Sequence, residues 1–306
     1  MWWKFRKEGS KEPTKNNISD VARKVKHVEL TTKKHSSTQL LGQYRSRFRG
    51  QGMQFSDFRV YQFGDDVRHI DWRLSARSQQ TYTKVYEEER ELNIICAVDI
   101  SASGVFGTHG ETKRDLLSLA IATIAFAAIS NSDRVGLLLF SDQVERYVPP
   151  RKGKKHVLRI IDELLSHKAK HRGTSLTKAM QFLAGVARHN SIVILASDFY
   201  APLERKKLNL LAQRNDLIAM HIHDDRDLEL PAIGLAELID PETGESLLID
   251  CSSKIVQKNF SLEQKKRLQH TTQALQRAGA SVISLNTKND VSREVGAFFR
   301  RRTRAK

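Results

Sequence analysis

Two carboxylates and three hydroxyls stand in this sequence where they could share one ligand. Asp99-Ile100-Ser101-Ala102-Ser103 follows the apolar run 94–98, so a carboxylate ends a buried strand and two hydroxyls follow at alternate positions. That spacing can turn all three side chains into one crevice beyond the sheet edge, where ligands gather in open α/β sheets. Ser197-Asp198 follows the run 191–196 in the same way. Between them, Arg172-Gly173-Thr174-Ser175 precedes a helical segment, with Thr174 or Ser175 as its cap or as a ligand. Carboxylates and neutral hydroxyls are hard oxygen donors, suited to Mg²⁺ or Mn²⁺ and poor for zinc. So thin a donor set leaves octahedral positions to water or to an incoming carboxylate, which is the chemistry of adhesion through a metal.

The elements that must position these groups follow from periodicity. Short apolar runs at 94–98, 134–140, 191–196, 217–222 and 281–285 alternate with segments of helical period at 112–129, 154–166, 176–188, 203–213, 262–278 and 291–299. Runs apolar throughout fit central parallel strands covered on both faces. The prediction is a doubly wound α/β domain over 91–300 with a mostly parallel sheet. Between 230 and 250 the pattern breaks at Pro231, Gly234 and Pro241-Glu242-Thr243-Gly244-Glu245, which reads as an inserted hairpin. Ahead of it, 39–90 is punctuated by Gly42, Gly50, Gly52 and Gly64 and reads as a small β-rich module. Residues 1–38 read as a basic flexible arm and 301–306 as a basic tail.

The chain has 306 residues, a formal charge of +16, and 40% hydrophobic residues, too apolar for wholesale disorder. The charge is uneven: +8 over 1–90, −2 over 91–250 and +10 over 251–306, so the proposed site lies in the slightly acidic part. The longest nearly uninterrupted apolar stretch, 116–129, is short of the roughly 20 residues a membrane span needs. Met1-Trp2-Trp3-Lys4-Phe5-Arg6-Lys7 is followed by polar, charged sequence in place of an apolar h-region, so no secretory leader and a cytoplasmic location are expected. Cys96 and Cys251 are far apart and belong to no C-x-x-C pair; Cys96, inside an apolar run, reads as a small buried hydrophobe.

Asp99-x-Ser101-x-Ser103, Thr174 and Asp198, each after the expected element, resemble the metal-ion-dependent adhesion site of von Willebrand factor type A domains. That resemblance implies that the hydroxyls coordinate Mg²⁺ directly or through water, and that a partner's acidic side chain completes the sphere. A narrower match runs through Arg45-Ser46, Gly50-Gln51-Gly52, Gly64-Asp65-Asp66-Val67-Arg68-His69-Ile70-Asp71-Trp72-Arg73, Ala76-Arg77, Leu230-Pro231 and Asp240 to Glu245. These blocks resemble the bacterial family catalogued as domain of unknown function 58, over about 39–300. What that resemblance implies is a von Willebrand type A-like fold and a non-enzymatic adaptor, partner of a MoxR-type AAA+ ATPase or of its client protein. Gly104 stands where the motif usually continues with Met, and it is not a ligand position.

Other constellations are weaker. Gly104, Gly107 and Gly110 have the wrong spacing for a dinucleotide loop, and no P-loop occurs. His221-Ile222-His223-Asp224-Asp225 puts two imidazoles on one strand face, which suits a transition metal, against the blander reading of a solvated sheet-end turn. Asp65, Asp66, Arg68, Asp71, Arg73 and Arg77 beside Trp72 read as an ion-pair network docking one module on another. Asp-x-Asp phosphatase chemistry needs a second carboxylate where Ser101 stands. The alternative function is nucleic-acid binding through the arm and Arg300, Arg301, Arg302, Arg304 and Lys306.

Overall fold

The computed structural model describes residues 4–5, 53–88, 91–108 and 112–304. The expected arm, apart from Lys4 and Phe5, lies outside the described residues, as do 39–52 and Lys306. In chain order the elements are β1 (Lys4–Phe5), β2 (Met53–Val60), α1 (Trp72–Ser78), β3 (Tyr82–Glu88), β4 (Asn93–Asp99), α2 (Lys113–Ser130), β5 (Arg134–Phe140), β6 (Val144–Arg151), α3 (Lys154–Ser166) and α4 (Leu176–Val186). There follow β7 (Ile192–Ser197), α5 (Arg205–Arg214), β8 (Asp216–His223), α6 (Asp225–Leu228), β9 (Leu235–Ile239), β10 (Ser246–Asp250), α7 (Lys254–Arg277), β11 (Ser281–Asn286) and α8 (Val291–Arg304).

Six strands form one sheet in the order β11-β8-β7-β4-β5-β6, parallel throughout except for the β5–β6 edge. Alternation within β4 shows why both faces are covered. Ile94, Cys96 and Val98 pack with Leu116 and Ile121 of α2, Ile160 of α3 and Phe298 of α8. Ile95 and Ala97 point the other way, against Met180 and Leu183 of α4, Leu208 of α5 and Leu275 of α7. Each fully buried Leu or Ile there contributes roughly 1.5–3 kcal/mol. Burial also pushes the Cys96 thiol up to about 12, as suits a small hydrophobe. The expected doubly wound, mostly parallel sheet is therefore present, with β4 at its centre and Asp99 at that strand's carboxyl end.

Three boundaries differ from the periodicity reading. The antiparallel edge strand β6 was not expected, because Pro149-Pro150 argues against a strand, yet proline is admissible at a sheet edge. Gly136 opposite makes room: a Cβ there would lie 2.9 Å from Pro150. α7 begins at Lys254, well before 262, its first turns packing Val256 and Phe260 on the hairpin's core and not on the sheet. α8 runs on to Arg304, so most of the expected tail is helical. Arg302 in that segment pairs with Asp216 at 2.7 Å and lies over the Phe298 ring, so it is not a loose cation. Among the described residues no helix is long and apolar enough to cross a membrane.

The inserted hairpin is β9 paired antiparallel with β10, and β9 also pairs with β1. It sits on its own small core of Leu230, Leu238 and Cys251, against Phe260 of α7. In the 39–90 region, β2 and β3 form an antiparallel pair with a bulge at Phe55/Asp57, and Asp71 caps α1 through the backbone N–H groups of Arg73 and Leu74. Among the described residues, the ion pairs Arg59–Asp65, Arg68–Asp66 and Lys84–Asp71 of the charge cluster lie within that region. Trp72 beside them is 68% exposed.

Candidate metal centre

Four loops beyond the carboxyl ends of the central strands converge. The chain leaving Asp99 makes a single 3-10 turn at Ala102–Val105, and the Ala102 N–H donates to Arg172 O at 3.0 Å. That bond ties the Ser101 loop to the loop carrying Thr174, and the Ser175 N–H donates to Ser141 O at 2.8 Å, tying the latter to the end of β5. At the end of β7 the backbone turns through Phe199, a buried residue held at φ 51°. A bulky residue in the left-handed region is strained by roughly 1–3 kcal/mol, and such strain clusters where geometry serves a site. Here it folds Asp198 back, with the Tyr200 N–H donating to Asp198 Oδ1 at 3.2 Å.

Asp99, Ser101, Ser103 and Asp198 are all buried. Asp99 Oδ1 accepts from the Ser101 N–H at 3.0 Å, and the Ser101 and Ser103 hydroxyl oxygens lie 3.0 Å apart. Asp99 Oδ2 accepts from the Ser197 hydroxyl at 2.7 Å, while the Phe199 N–H donates to that same hydroxyl at 3.0 Å. Ser197 was not singled out from the sequence, although its place one residue before Asp198 carries the signal. Burial and the charge of Asp198 push the Asp99 carboxyl up to about 7, against the pull of hydrogen bonds from Ser197 and Ser101. No side-chain cation among the described residues forms an ion pair with Asp99 or Asp198.

The Thr174-or-Ser175 alternative resolves cleanly. Ser175 caps α4, its hydroxyl accepting from the Lys178 N–H at 3.3 Å. The Thr174 hydroxyl is not used as a cap and donates to Glu242 Oε1 at 2.8 Å. Glu242 belongs to the turn of the inserted hairpin and was read from the sequence only as part of a turn. Burial comes first, and Asp198 contributes, in raising its carboxyl, while Thr174 pulls the other way. Asp240, itself buried, builds that turn by accepting from the Glu242 N–H at 2.9 Å.

The donors fit a small hard cation. Two buried carboxylates that repel each other are stabilised by a positive charge between them, and the hydroxyls supply neutral oxygens beside them. Among the described residues no group of three or more His, Cys, Asp or Glu side chains gathers as a metal cage, so a cation here depends on the Ser and Thr oxygens.

A second acidic cluster lies at the neighbouring sheet edge. Lys113, fully buried at the start of α2, pairs with Asp227 at 2.6 Å. Asp224 caps α6 and accepts from the hydroxyls of Thr108, at 2.8 Å, and Thr287. Although burial opposes ionisation, those hydroxyls and the Arg226 N–H hold the Asp224 carboxyl below its usual range. His221 and His223 share one face of β8, as expected, but His221 is buried against Phe199 and the solvated-turn reading does not hold. Burial, then the charge of His223, drives His221 down to about 3, so both rings line their pocket with Asp198, Tyr200 and Arg267 as neutral groups.

Comparison with known proteins places the chain. An uncharacterized protein of Mycobacterium bovis, Mb1516, is 31% identical over 290 residues, covering 93% of this chain and 90% of that one. Among solved structures, BatB from Bacteroides thetaiotaomicron is 12% identical with a TM-score of 0.48, covering 70% of this chain and 99% of that chain. The SpRpn10 VWA domain is 11% identical with a TM-score of 0.42, covering 67% and 94%. The family model described as Protein of unknown function DUF58 matches residues 57–271, and with the Mycobacterium relative at that identity and coverage the chain belongs to this family.

Proposed function

We propose that this protein is a metal-dependent protein-interaction adaptor. Asp99, Ser101, Ser103, Thr174 and Asp198 hold Mg²⁺, or Mn²⁺, and an acidic side chain of a protein partner completes the coordination sphere. The observation that carries this reading is that two buried carboxylates, Asp99 and Asp198, lie near enough for their charges to repel, with the Ser101 and Ser103 hydroxyls 3.0 Å apart beside Asp99. The bound cation supplies the positive charge that the site needs in order to take a carboxylate. The chain's own residues hold the donors still: Ser197 orients Asp99, the strained turn at Phe199 aims Asp198, and the Ala102-to-Arg172 bond locks the serine loop to the threonine loop.

The partner proposed from the family resemblance is a MoxR-type AAA+ ATPase or its client, met through an acidic residue, with the chain acting as a binding protein and not as a catalyst. Calorimetric titration of Mg²⁺ and Mn²⁺ into the full chain tests the metal, with binding expected in the wild type and absent in Asp99→Ala. No binding to the wild type, or binding that survives Asp99→Ala, overturns the reading. Affinity capture from cells in Mg²⁺ and in chelator then tests the partner, with Asp99→Ala as the control.

A further inference from the structure

The hairpin inserted between β8 and α7 brings an acidic side chain of the protein itself to the mouth of the crevice. Thr174 and Glu242 are 68 residues apart, yet the Thr174 hydroxyl donates to Glu242 Oε1 at 2.8 Å. The placement is built in. Asp240 N–H donates to Glu245 O at 2.8 Å and Gly244 N–H to Asp240 O at 2.8 Å, closing the turn. Gly244 takes φ 78°, a conformation that disfavours residues with a Cβ. The buried Asp240 carboxylate accepts from the Glu242 and Thr243 N–H groups, which fixes the direction in which Glu242 leaves the turn.

Adjacent oxygens of an Mg²⁺ octahedron with bonds of about 2.0–2.1 Å lie roughly 2.9 Å apart. The Ser101–Ser103 oxygens, at 3.0 Å, and the Thr174–Glu242 oxygens, at 2.8 Å, are at ordinary hydrogen-bond separations, which such an edge can take over with little movement. A threonine hydroxyl that gives its proton to a carboxylate also keeps its lone pairs for a cation.

We propose that Glu242 is the site's own carboxylate ligand, filling the coordination position beside Thr174 that a partner's acidic side chain takes when the hairpin turn is displaced. This rests on the metal reading above. The site is then self-satisfied until a partner competes: an external carboxylate must first exchange with Glu242, so simple carboxylates bind poorly and only a partner that also engages the hairpin binds well.

The test uses the full chain loaded with Mn²⁺, whose water-proton relaxivity reports the exchangeable waters on the ion, and acetate as the carboxylate probe. In the wild type, relaxivity is low and insensitive to acetate. In Glu242→Gln it rises by the contribution of about one further water, and acetate brings it back down. Glu245→Gln, which removes an exposed acid from the same turn, behaves as the wild type. If the wild type and Glu242→Gln bind Mn²⁺ with equal relaxivity and equal acetate response, Glu242 is not a ligand, and the adaptor reading stands without it. If neither binds Mn²⁺, or if binding persists in Asp99→Ala, the metal reading itself falls and this inference with it.

Discussion

Two acidic clusters lie at the carboxyl edge of one sheet, within reach of the same pocket, and they are handled in opposite ways. Around Asp227 and Asp224 every carboxylate is answered from inside the chain: a fully buried lysine pairs with one, and two threonine hydroxyls and backbone N–H groups satisfy the other. Around Asp99 and Asp198 the hydrogen bonds come from hydroxyls and N–H groups, and the charges of Lys113 and Arg267 reach Asp198 without a close ion pair among the described residues. Carboxylates answered by protein cations hold a fold together. A buried carboxylate whose affinity for protons is raised by a second carboxylate is a candidate for a functional site, here the proposed cation site. Glu145 marks the satisfied extreme: although burial opposes it, donors from Ser141, His167, Lys170 and His171 bring its carboxyl down to about 2, while Asp99 is pushed up to about 7.

The largest expected effect falls on the satisfied cluster. Lys113→Met leaves Asp227 buried without its partner and destabilises the protein by about 3–5 kcal/mol, read as a drop in the thermal or urea midpoint. A midpoint close to wild type would mean that this cluster is no more self-sufficient than its neighbour.

Asp99→Asn separates the clusters from the other side. Its folded carboxyl keeps a proton up to about 7, while an unfolded aspartate releases one near 3.8, so between those values the unfolded state binds fewer protons and stability falls as pH rises. In chelator, wild-type stability therefore declines from about pH 4 to pH 7 relative to Asp99→Asn, and the gap is full above pH 7. Asp227, raised to about 6 by burial, slopes the same way in both proteins and cancels in the difference. Saturating Mg²⁺ recovers the loss, by about 2.7 kcal/mol at a hundredfold excess over Kd, in the wild type alone. Equal pH profiles for the two proteins would remove the contrast between the clusters.

The smallest effect separates cap from ligand. Ser175→Ala costs about 1 kcal/mol of stability as a lost helix cap and leaves Mg²⁺ affinity unchanged. Thr174→Val weakens Mg²⁺ binding and, in chelator, costs about 1 kcal/mol through the lost hydrogen bond to Glu242. The reverse pattern would put the ligand at Ser175.

Much of this was legible in local pattern. The apolar runs before Asp99 and Asp198 mark buried parallel strands because a strand covered on both faces has no polar side to show, and the groups at their ends then belong to one edge. The antiparallel edge strand was not legible, since Pro149-Pro150 breaks the local signal and only the approach of Gly136 reveals the accommodation. Nor was the first half of α7, whose Val256 and Phe260 rest on a satellite core built by the inserted hairpin and not on the sheet.

Residue order alone thus settled the fold class and the strand that carries Asp99, and it drew attention to the oxygen donors proposed as ligands, because hydrophobic period and strand ends are short-range properties of the chain. Which of Thr174 and Ser175 caps α4, that Ser197 holds Asp99, that Lys113 answers Asp227 and that Glu242 reaches Thr174 across 68 residues were decided only in three dimensions. The physical reason is that burial and long-range pairing set the charge state and orientation of a polar group, and neither is encoded in its sequence neighbours.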